Sequence, residues 1–341
     1  MKYLVWICET VASGGLGDRI RGLLSTYCLS KHIDRRFLIM WNGPNISEFI
    51  TISEEYNFYG KNNPPQNLST LFFNYMNDDN VLNCPEDFED VIRDTDIVFI
   101  KTNHNVNRTY YKQIIKGTEE EYKSIMINVY RRIFTDFLIP TNALLDYMNQ
   151  IIPTKPVIGL QLRIGNEQLS REHERYRDKA KPVIEKVLGR VEKYIKDNEL
   201  MANHDYCYFV TSDCSNIDDV AKGFFANSRE VLSYKGTTMD MGFNRDCDKG
   251  VYFKIFADII MLSKCDILFG TCNSGFSKIP VLLSNNKSFI CYMEANYLLG
   301  SWLNHENRLI QKYEEYTKVG TYNEEIIPFD IDDIKTSYIY I

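Results

Sequence analysis

The chain has 341 residues, 44% of them hydrophobic and 25% charged, and a formal net charge of −7 at pH 7. This length is too great for one small core and suits two domains or one large α/β domain. The acidic balance argues against a nucleic-acid-binding protein, and no apolar run approaches the roughly 20 residues that span a bilayer. We therefore expect a cytoplasmic globular protein with no signal peptide, transmembrane segment or nucleic-acid partner.

The cysteines and histidines show no metal-binding pattern. Nine cysteines are scattered along the chain, no two of them spaced as C-x-x-C, and the five histidines include no H-x-x-x-H pair. These spacings argue against a zinc site or a thioredoxin-type redox pair. We expect buried free thiols and no metal.

The first half of the chain alternates strands and helices around a glycine-rich turn. An apolar strand is predicted at 2–8, and a helix from about 18 to 33, because its apolar residues recur on one face. The stretch VASGGLGDRIRGLL, residues 11–24, follows the strand and includes the first turns of the helix. Further predicted elements are strands at 35–41 and 96–101, helices at 118–134 and 141–150, and a strand in LSTLFFNYM within an otherwise irregular segment at 42–90.

The glycine-rich stretch supports two interpretations. Its first three glycines are Gly14, Gly15 and Gly17. They would bring the backbone close to a bound phosphate, or they would let the first strand and the following helix pack closely. Asp18 suits a helix N-terminus in either case, and Arg19 and Arg21 would add positive potential if they reach the ligand. The motif alone leaves both interpretations open.

The segment IPTKP at 152–156 is the best candidate for a domain junction, since proline disfavours helix in the residue before it. Beyond it, apolar strands alternate with helices, which predicts a parallel sheet covered on both faces. The strands are expected at 157–163, 205–213, 230–234, 266–270 and 288–293, and the helices at 182–197, 216–226, 250–264 and 275–284. We therefore predict an α/β protein with two Rossmann-like domains, 1–152 and 153–300, whose parallel sheets face a central cleft. A C-terminal helix and tail at 301–341 are expected to pack back on the first domain.

Polar residues follow three strands of the second half, at the strand ends where open parallel sheets bind ligands. They are Arg163, Asp213 and a cluster of Thr271, Ser274, Gly275, Phe276 and Ser277. The combination suits a nucleoside diphosphate, because the arginine and a helix N-terminus with its hydroxyls bind phosphate, and the carboxylate accepts hydrogen bonds from base or ribose. Each feature alone is explained by a surface salt bridge or a helix cap, but their coincidence favours the nucleotide site.

Four segments resemble the GT-B fucosyltransferase superfamily, which includes the nodulation, α1,6- and protein O-fucosyltransferases. SGGLGDRIRGLLSTYCLSKHIDRRFLIMW is similar to the family's N-terminal loop, helix and strand. VIGLQLRIGN is similar to its H-x-R-x-G/T-D motif, YFVTSD to its F-V-A-T-D strand, and DIIMLSKCDILFGTCNSGFSKIPVLLS to its D-x-x-x-L-S-x-[AC]-D…G-T-x-x-S-x-F-S segment. The segments occur in family order, with Gln161 in place of the usual histidine and Asn166 in place of aspartate.

The resemblance implies a GT-B fold and an inverting transfer of L-fucose from GDP-fucose to a hydroxyl of a glycan or glycopeptide, with no metal or other cofactor. It assigns Arg163 to the β-phosphate of the donor and Asp213 to the guanine or ribose. The other residues matched to GDP-sugar contacts are Gly14, Gly15, Gly17, Thr271, Ser274, Gly275, Phe276 and Ser277.

The general base and the donor sugar stay open. Glu167, Glu172 and Asp18 are equal candidates for the base that deprotonates the acceptor, while Arg163 would stabilise the departing GDP. The two motif departures leave room for a different nucleotide sugar, and a catalytically silent carbohydrate-binding relative is an alternative of another class. A P-loop phosphate binder is disfavoured, because the sequence lacks G-x-x-x-x-G-K-[ST].

Overall fold

The computed structural model describes two compact units. The described residues are 1–9, 15–43, 45–61, 63–74, 88–103, 128–163, 173–213, 217–226, 228–236, 249–271, 274–284, 290–293 and 327–329. The first unit comprises Met1–Tyr147, Asp240–Phe253 and Lys335–Ile341, and the second comprises Met148–Met239 and Lys254–Ile334. The domain boundaries predicted after residues 152 and 300 stay predictions. The helix and tail predicted at 301–341 lie outside the described residues, apart from a short strand at 327–329.

The first unit is built on a parallel sheet of four strands. Its elements in chain order are β1 (Tyr3–Cys8), α1 (Leu16–His32), β2 (Arg36–Trp41), β3 (Ile50–Ile52), β4 (Thr70–Asn74), α2 (Phe88–Ile92), β5 (Ile97–Lys101), a π-helix (Ile133–Phe137), β6 (Leu138–Pro140) and α3 (Asn142–Met148). The strand order is β2-β1-β5-β4, and every pairing in this sheet is parallel. Strands β3 and β6 form a separate antiparallel pair.

Strand β1 is the core of this sheet because its sequence, YLVWIC, carries large side chains throughout, and all six residues are buried. Helix α1 contributes Ile20, Leu23 and Leu24, which are fully buried, as the helical spacing predicted. The strand order reverses between β1 and β5, so the carboxyl ends of these two strands lie side by side. Helix α1, which begins at Leu16, follows β1 in the chain.

The second unit is built on a six-stranded sheet. Its elements are β7 (Val157–Leu162), α4 (His173–Asp197), β8 (Cys207–Ser212), α5 (Ile217–Phe225), β9 (Val231–Leu232), α6 (Lys249–Leu262, of which Lys254 onward belongs here), β10 (Ile267–Thr271), α7 (Gly275–Leu283), β11 (Ile290–Met293) and β12 (Ile327–Phe329). The strand order is β12-β11-β10-β7-β8-β9, parallel except for β12.

This order is that of a Rossmann-type sheet, since β7, β8 and β9 extend to one side and β10, β11 and β12 to the other. The order reverses between β7 and β10. A core of buried side chains from β7, β8, α4, α5 and β10 stabilises this arrangement, with Leu160, Tyr208 and Phe269 fully buried. The carboxyl ends of β7 and β10 are thus fixed beside each other, which is where a nucleotide binds in such sheets.

The expected α/β class with parallel sheets is confirmed in both units. Most predicted strands and helices are present within two or three residues of their predicted bounds. Helix α4 is longer than predicted, because it begins at His173 rather than near Pro182. Most of the helix predicted at 118–134 lies outside the described residues, as does the segment from 75 to 87.

Two further observations concern membranes and metals. Among the described residues, no helix is long and apolar enough to cross a bilayer. Within the same part of the chain, no group of three or more His, Cys, Asp and Glu side chains is placed to hold a metal ion. Cys8, Cys28, Cys207 and Cys265 are in the thiol form, and three of them are buried.

Candidate functional site

Arg163 follows β7 directly, at the point where the strand order reverses. Its backbone N–H donates to Thr271 Oγ1 at 2.8 Å, and that hydroxyl donates to the carbonyl of Gln161 at 3.0 Å. Thr271 is the last residue of β10, so one buried hydroxyl ties the ends of β7 and β10 together. The backbone of Arg163 is thereby fixed, while its side chain keeps 30% of its surface exposed.

Asp213 follows β8 and pairs with this arginine. The distance from Arg163 Nη1 to Asp213 Oδ2 is 3.3 Å, and the Asp213 side chain is only 11% exposed. The hydroxyl of Ser212 donates to the carbonyl of Leu162 at 2.6 Å and lies 3.3 Å from Asp213 Oδ1. The structure therefore brings together the arginine and the carboxylate that the sequence singled out, with the carboxylate orienting the guanidinium.

The third strand end begins a helix. Ser274 occupies the N-cap of α7 with an extended backbone, and within the described residues its side chain makes no capping hydrogen bond. The first turn of α7 thus presents backbone N–H groups and the positive end of the helix dipole. Gly275 and Phe276 are the first two helical residues, and Phe276 is half-buried. Such a helix end is a general anion-binding feature, and the phosphate contact that the sequence predicted here stays a prediction.

Ser277 has a different environment from the one its predicted role needs. It is fully buried, its hydroxyl donates to Gln161 Oε1, and it accepts the N–H of Thr271 at 3.0 Å. Gln161 is also buried. Ser277 therefore links helix α7 to β7 and β10 from inside, and its predicted contact with phosphate stays a prediction that this hydrogen bonding does not favour.

Sequence reasoning missed a buried ion pair beside these strand ends. Asp258 is fully buried on α6, where Oδ2 accepts from Lys254 Nζ at 2.8 Å and from Thr211 Oγ1 at 2.5 Å. Its Oδ1 has no hydrogen-bond partner among the described residues. Burial raises the pKa of Asp258, and the Lys254 charge opposes that rise. Two opposite charges four residues apart in an otherwise apolar helix were the available signal.

In the described part of the glycine-rich stretch, residues 15–24, the contacts given are those of capping and packing. Gly15 is the N-cap of α1, and its N–H donates to Asp18 Oδ2 at 3.2 Å. Asp18 Oδ1 pairs with Arg21. A Cβ on Gly22 would overlap the carbonyl oxygen of Thr102 and lie 2.8 Å from its carbonyl carbon, so α1 packs against the end of β5 only because residue 22 is glycine.

Arg19 requires a correction. The sequence allowed it to add positive potential towards a ligand, but its side chain is fully buried. The guanidinium donates to the carbonyl oxygens of Glu9 and Gly43 at 3.1 and 3.0 Å, contacts Cys8 Sγ, and lies 5.9 Å from the centre of the Trp41 ring. Arg19 therefore stabilises the first unit from within.

The remaining predicted site residues divide as follows. Gly17 is buried in the first turn of α1, as close packing requires. Asp18 is half-buried and already holds both a cap and an ion pair, so its role as a base stays a prediction. Gly14, Glu167 and Glu172 lie outside the described residues, as does Asn166.

The comparisons with known proteins bear on the fold. No family model matches the sequence, and no curated protein matches it significantly. A mutant of Arabidopsis thaliana FUT1 in complex with GDP matches with a TM-score of 0.56 and 16% identity, over 87% of this chain and 72% of that chain. The α-1,6-fucosyltransferase NodZ soaked with GDP-fucose matches with a TM-score of 0.50 and 14% identity, over 86% and 96%. A further structure of NodZ, from Bradyrhizobium, matches with a TM-score of 0.50 and 13% identity, over 86% of this chain and 96% of that chain.

These identities are far below the level at which activity is carried from one protein to another. The matches span most of this chain, and they agree with the Rossmann-type strand order of the second unit. The expected resemblance is thus confirmed at the level of architecture: the chain has the α/β, parallel-sheet fold of the GT-B fucosyltransferases.

Proposed function

We propose that the chain is a glycosyltransferase that transfers L-fucose from GDP-fucose to a hydroxyl of a glycan or glycopeptide, with inversion at the anomeric carbon. The fold supports this proposal, because structures that share it hold GDP or were soaked with GDP-fucose. The site supports it independently. An arginine, a carboxylate and a helix N-terminus converge at the carboxyl edge of a Rossmann-type sheet.

The observation that carries the proposal is the state of Arg163. Its backbone is fixed by Thr271, and its guanidinium is oriented by Asp213 but still 30% exposed. A buried guanidinium serves packing, and a fully solvated one is too mobile to fix a ligand. Arg163 lies between these limits, and its planar set of donors matches two phosphate oxygens.

The reaction would place negative charge on the departing GDP. As the bond between the anomeric carbon and the β-phosphate oxygen breaks, that oxygen gains charge. Arg163 and the backbone N–H groups at the start of α7 would stabilise this charge in the transition state. The backbone beside Arg163 is fixed for this role, because the Thr271 hydroxyl links the ends of β7 and β10.

Inversion requires the acceptor oxygen to attack the face opposite to GDP, and its proton must pass to a base. Glu167, Glu172 and Asp18 stay the candidates. Of these three, Asp18 is the one within the described residues, and its carboxylate is engaged by the Gly15 N–H and by Arg21. These contacts favour the two glutamates as the groups to substitute first.

The proposal is tested by following fucose transfer from GDP-fucose to an array of glycans and glycopeptides. We expect Arg163→Ala to lower the transfer rate by at least about 100-fold, the scale on which a transition-state donor acts. Arg93→Ala is the matched control, since Arg93 is 68% exposed in a surface pair with Asp90 and should leave transfer unchanged. Near-normal transfer by Arg163→Ala would overturn the mechanism.

A transferase that uses a different nucleotide sugar is the second candidate. Gln161 favours it, because this residue replaces the histidine of the resembled motif and is held by Ser277. Thermal unfolding with GDP, UDP, CDP and ADP at equal concentration separates the two, since the nucleotide that binds the folded state most tightly raises the melting temperature most. A carbohydrate-binding relative without activity would bind glycans yet release no nucleotide from any donor.

A further inference from the structure

We infer that the carboxyl edge of the first sheet carries a binding site for a neutral sugar ring, centred on Tyr59. The inference deepens the proposed function and rests on it, because the sugar would belong to the glycan acceptor. The site consists of the Tyr59 ring, the Asn42 amide and the Glu9–Lys101 pair. We call these four residues the Tyr59 platform.

The strand pairing brings Glu9, Asn42 and Lys101 to one face at the carboxyl edge of the sheet, and the hydrogen bond from the Tyr59 hydroxyl to Asn42 holds Tyr59 at the same edge. Cys8 pairs with Trp41, and Ile7 with Lys101. The N–H of Asn42 donates to the carbonyl of Cys8 at 2.7 Å, so the pairing of β1 and β2 continues past their last residues. Side chains alternate along a strand, which places Glu9, Asn42 and Lys101 on the same face.

Tyr59 is brought to this edge by a short extension of the sheet. Asn57 forms a parallel bridge with Ile39 of β2, and the N–H of Phe58 donates to the Ile39 carbonyl at 3.0 Å. Tyr59 lies two residues past Asn57, as Trp41 lies two past Ile39. The tyrosine therefore reaches the carboxyl end of β2, and its hydroxyl donates to Asn42 Oδ1 at 2.6 Å.

The Tyr59 ring is exposed and yet held on three sides. Its surface is 60% exposed. The hydroxyl is fixed by Asn42, the backbone N–H donates to Asn57 Oδ1 at 3.0 Å, and the ring meets Phe58 edge to face at 5.3 Å. A fixed aromatic surface loses little conformational entropy when a ligand covers it.

The polar groups at this edge of the sheet select the ligand class. Lys101 Nζ lies 2.5 Å from Glu9 Oε2, with the ammonium largely buried and the carboxylate half-exposed, so the pair carries no net charge. A pyranose ring has a face of C–H bonds and a rim of hydroxyls. The Tyr59 ring suits the C–H face, while the Asn42 amide and the Glu9 carboxylate suit the hydroxyls. Among these four residues, the paired charges of Glu9 and Lys101 leave no net charge to attract a charged ligand.

The site is tested by binding of the full chain to an array of neutral oligosaccharides, charged glycans and peptides, without any nucleotide sugar. We expect neutral oligosaccharides to bind, and Tyr59→Leu to weaken that binding at least about 10-fold, because the stacking surface is lost. Phe72→Leu is the matched control. Phe72 is 53% exposed on strand β4, outside the platform, and should bind as the wild type does.

The possible outcomes are distinct. Tyr59→Leu must retain the melting temperature and the GDP-induced stabilisation of the wild type, which shows that the loss is local. The inference is overturned if Tyr59→Leu and Phe72→Leu bind glycans equally, or if peptides or charged glycans bind and neutral ones do not. Binding of neutral glycans that depends on Tyr59, in a chain that no nucleotide stabilises, would support the site and reject the proposed transferase.

Discussion

The two sheets use arginine at their carboxyl edges in opposite ways. In the first unit, Arg19 lies within the glycine-rich stretch and is fully buried among carbonyl oxygens and the Cys8 thiol. In the second unit, Arg163 ends β7 and keeps 30% of its side chain exposed beside Asp213. Both positions adjoin a reversal of strand order. Topology therefore indicates where a ligand can bind, and exposure decides which cation can reach it.

The buried charges of the two units also differ, and the largest expected effect concerns them. Arg19 donates to the carbonyl oxygens of Glu9 and Gly43, whereas Lys254 in the second unit is paired with the fully buried Asp258. We expect Lys254→Met to lower the free energy of unfolding by about 3–5 kcal/mol, because it leaves a buried carboxylate unpaired. Urea unfolding followed by circular dichroism measures the loss.

The double variant Lys254→Met/Asp258→Leu is the control, and it should recover most of the loss, since an apolar pair can replace a buried ion pair. The pH dependence of the stability loss gives a second test, because its direction follows from the pKa of Asp258. Burial raises the folded-state pKa of Asp258 above its unfolded value. The stability that such a carboxyl contributes is fully present below its unfolded pKa, and it is lost as the pH rises through the folded-state pKa. The deficit of Lys254→Met should shrink from pH of about 7 towards about 4. A deficit that grows on acidification would contradict the assignment.

The packing of the two units can be compared through glycines on their helices. Gly22→Ala forces a Cβ into the backbone of Thr102, and we expect the free energy of unfolding to fall by about 3 kcal/mol. A methyl group at Gly223 on α5 would meet no atom of the described residues within 4 Å, so Gly223→Ala should raise stability by about 0.5–1 kcal/mol. Equal effects of the two substitutions would contradict the close approach of α1 to β5.

Substitution of Ser277 tests whether its hydroxyl contacts the ligand or only stabilises the strand ends. Ser277→Ala leaves Gln161 Oε1 and the Thr271 N–H without their partner, and we expect a loss of about 2 kcal/mol in stability. Affinity for GDP should change less than about 3-fold if the hydroxyl faces inward only. Isothermal titration measures it, and a loss of 10-fold or more would restore the predicted phosphate contact.

The smallest effect is expected at Asp18. Its carboxylate caps α1 and pairs with Arg21 at a half-exposed position, so Asp18→Asn should cost about 1 kcal/mol or less. Transfer from GDP-fucose should persist, with Glu167→Gln and Glu172→Gln assayed beside it. If Asp18→Asn alone abolished transfer while the chain stayed folded, Asp18 would be the base and the glycine-rich stretch would belong to the active site.

The fold was predictable where the hydrophobic pattern is continuous. Strands β1, β7, β8 and β10 are nearly all apolar, and the sequence placed each of them and their parallel arrangement. The short strands β3 and β6 were not predicted, since three residues carry too little periodicity. The start of helix α4 was predicted at Pro182, because proline is common in the first turn of a helix. The helix instead begins at His173 and continues through Pro182.

The position of the candidate site was predictable from the sequence, but the contacts of individual side chains were less so. Arg163, Asp213 and Ser274 follow strands, and topology alone brings strand ends together. Arg19 could have been recognised as buried, because it lies three residues after Leu16 and four before Leu23 on one helical face. The hydrogen bond from Ser277 to Gln161 joins residues distant in sequence, and no local pattern signals it.

The proposed function requires that the chain bind GDP through Arg163 at the carboxyl edge of the second sheet. Isothermal titration of GDP into the wild type, Arg163→Met and Arg21→Met tests it most directly. Arg21 pairs with Asp18 in the first unit and serves as the matched cation. We predict that the wild type and Arg21→Met bind GDP alike and that Arg163→Met binds at least about 10-fold more weakly. Equal binding by all three, or a loss confined to Arg21→Met, would contradict the account.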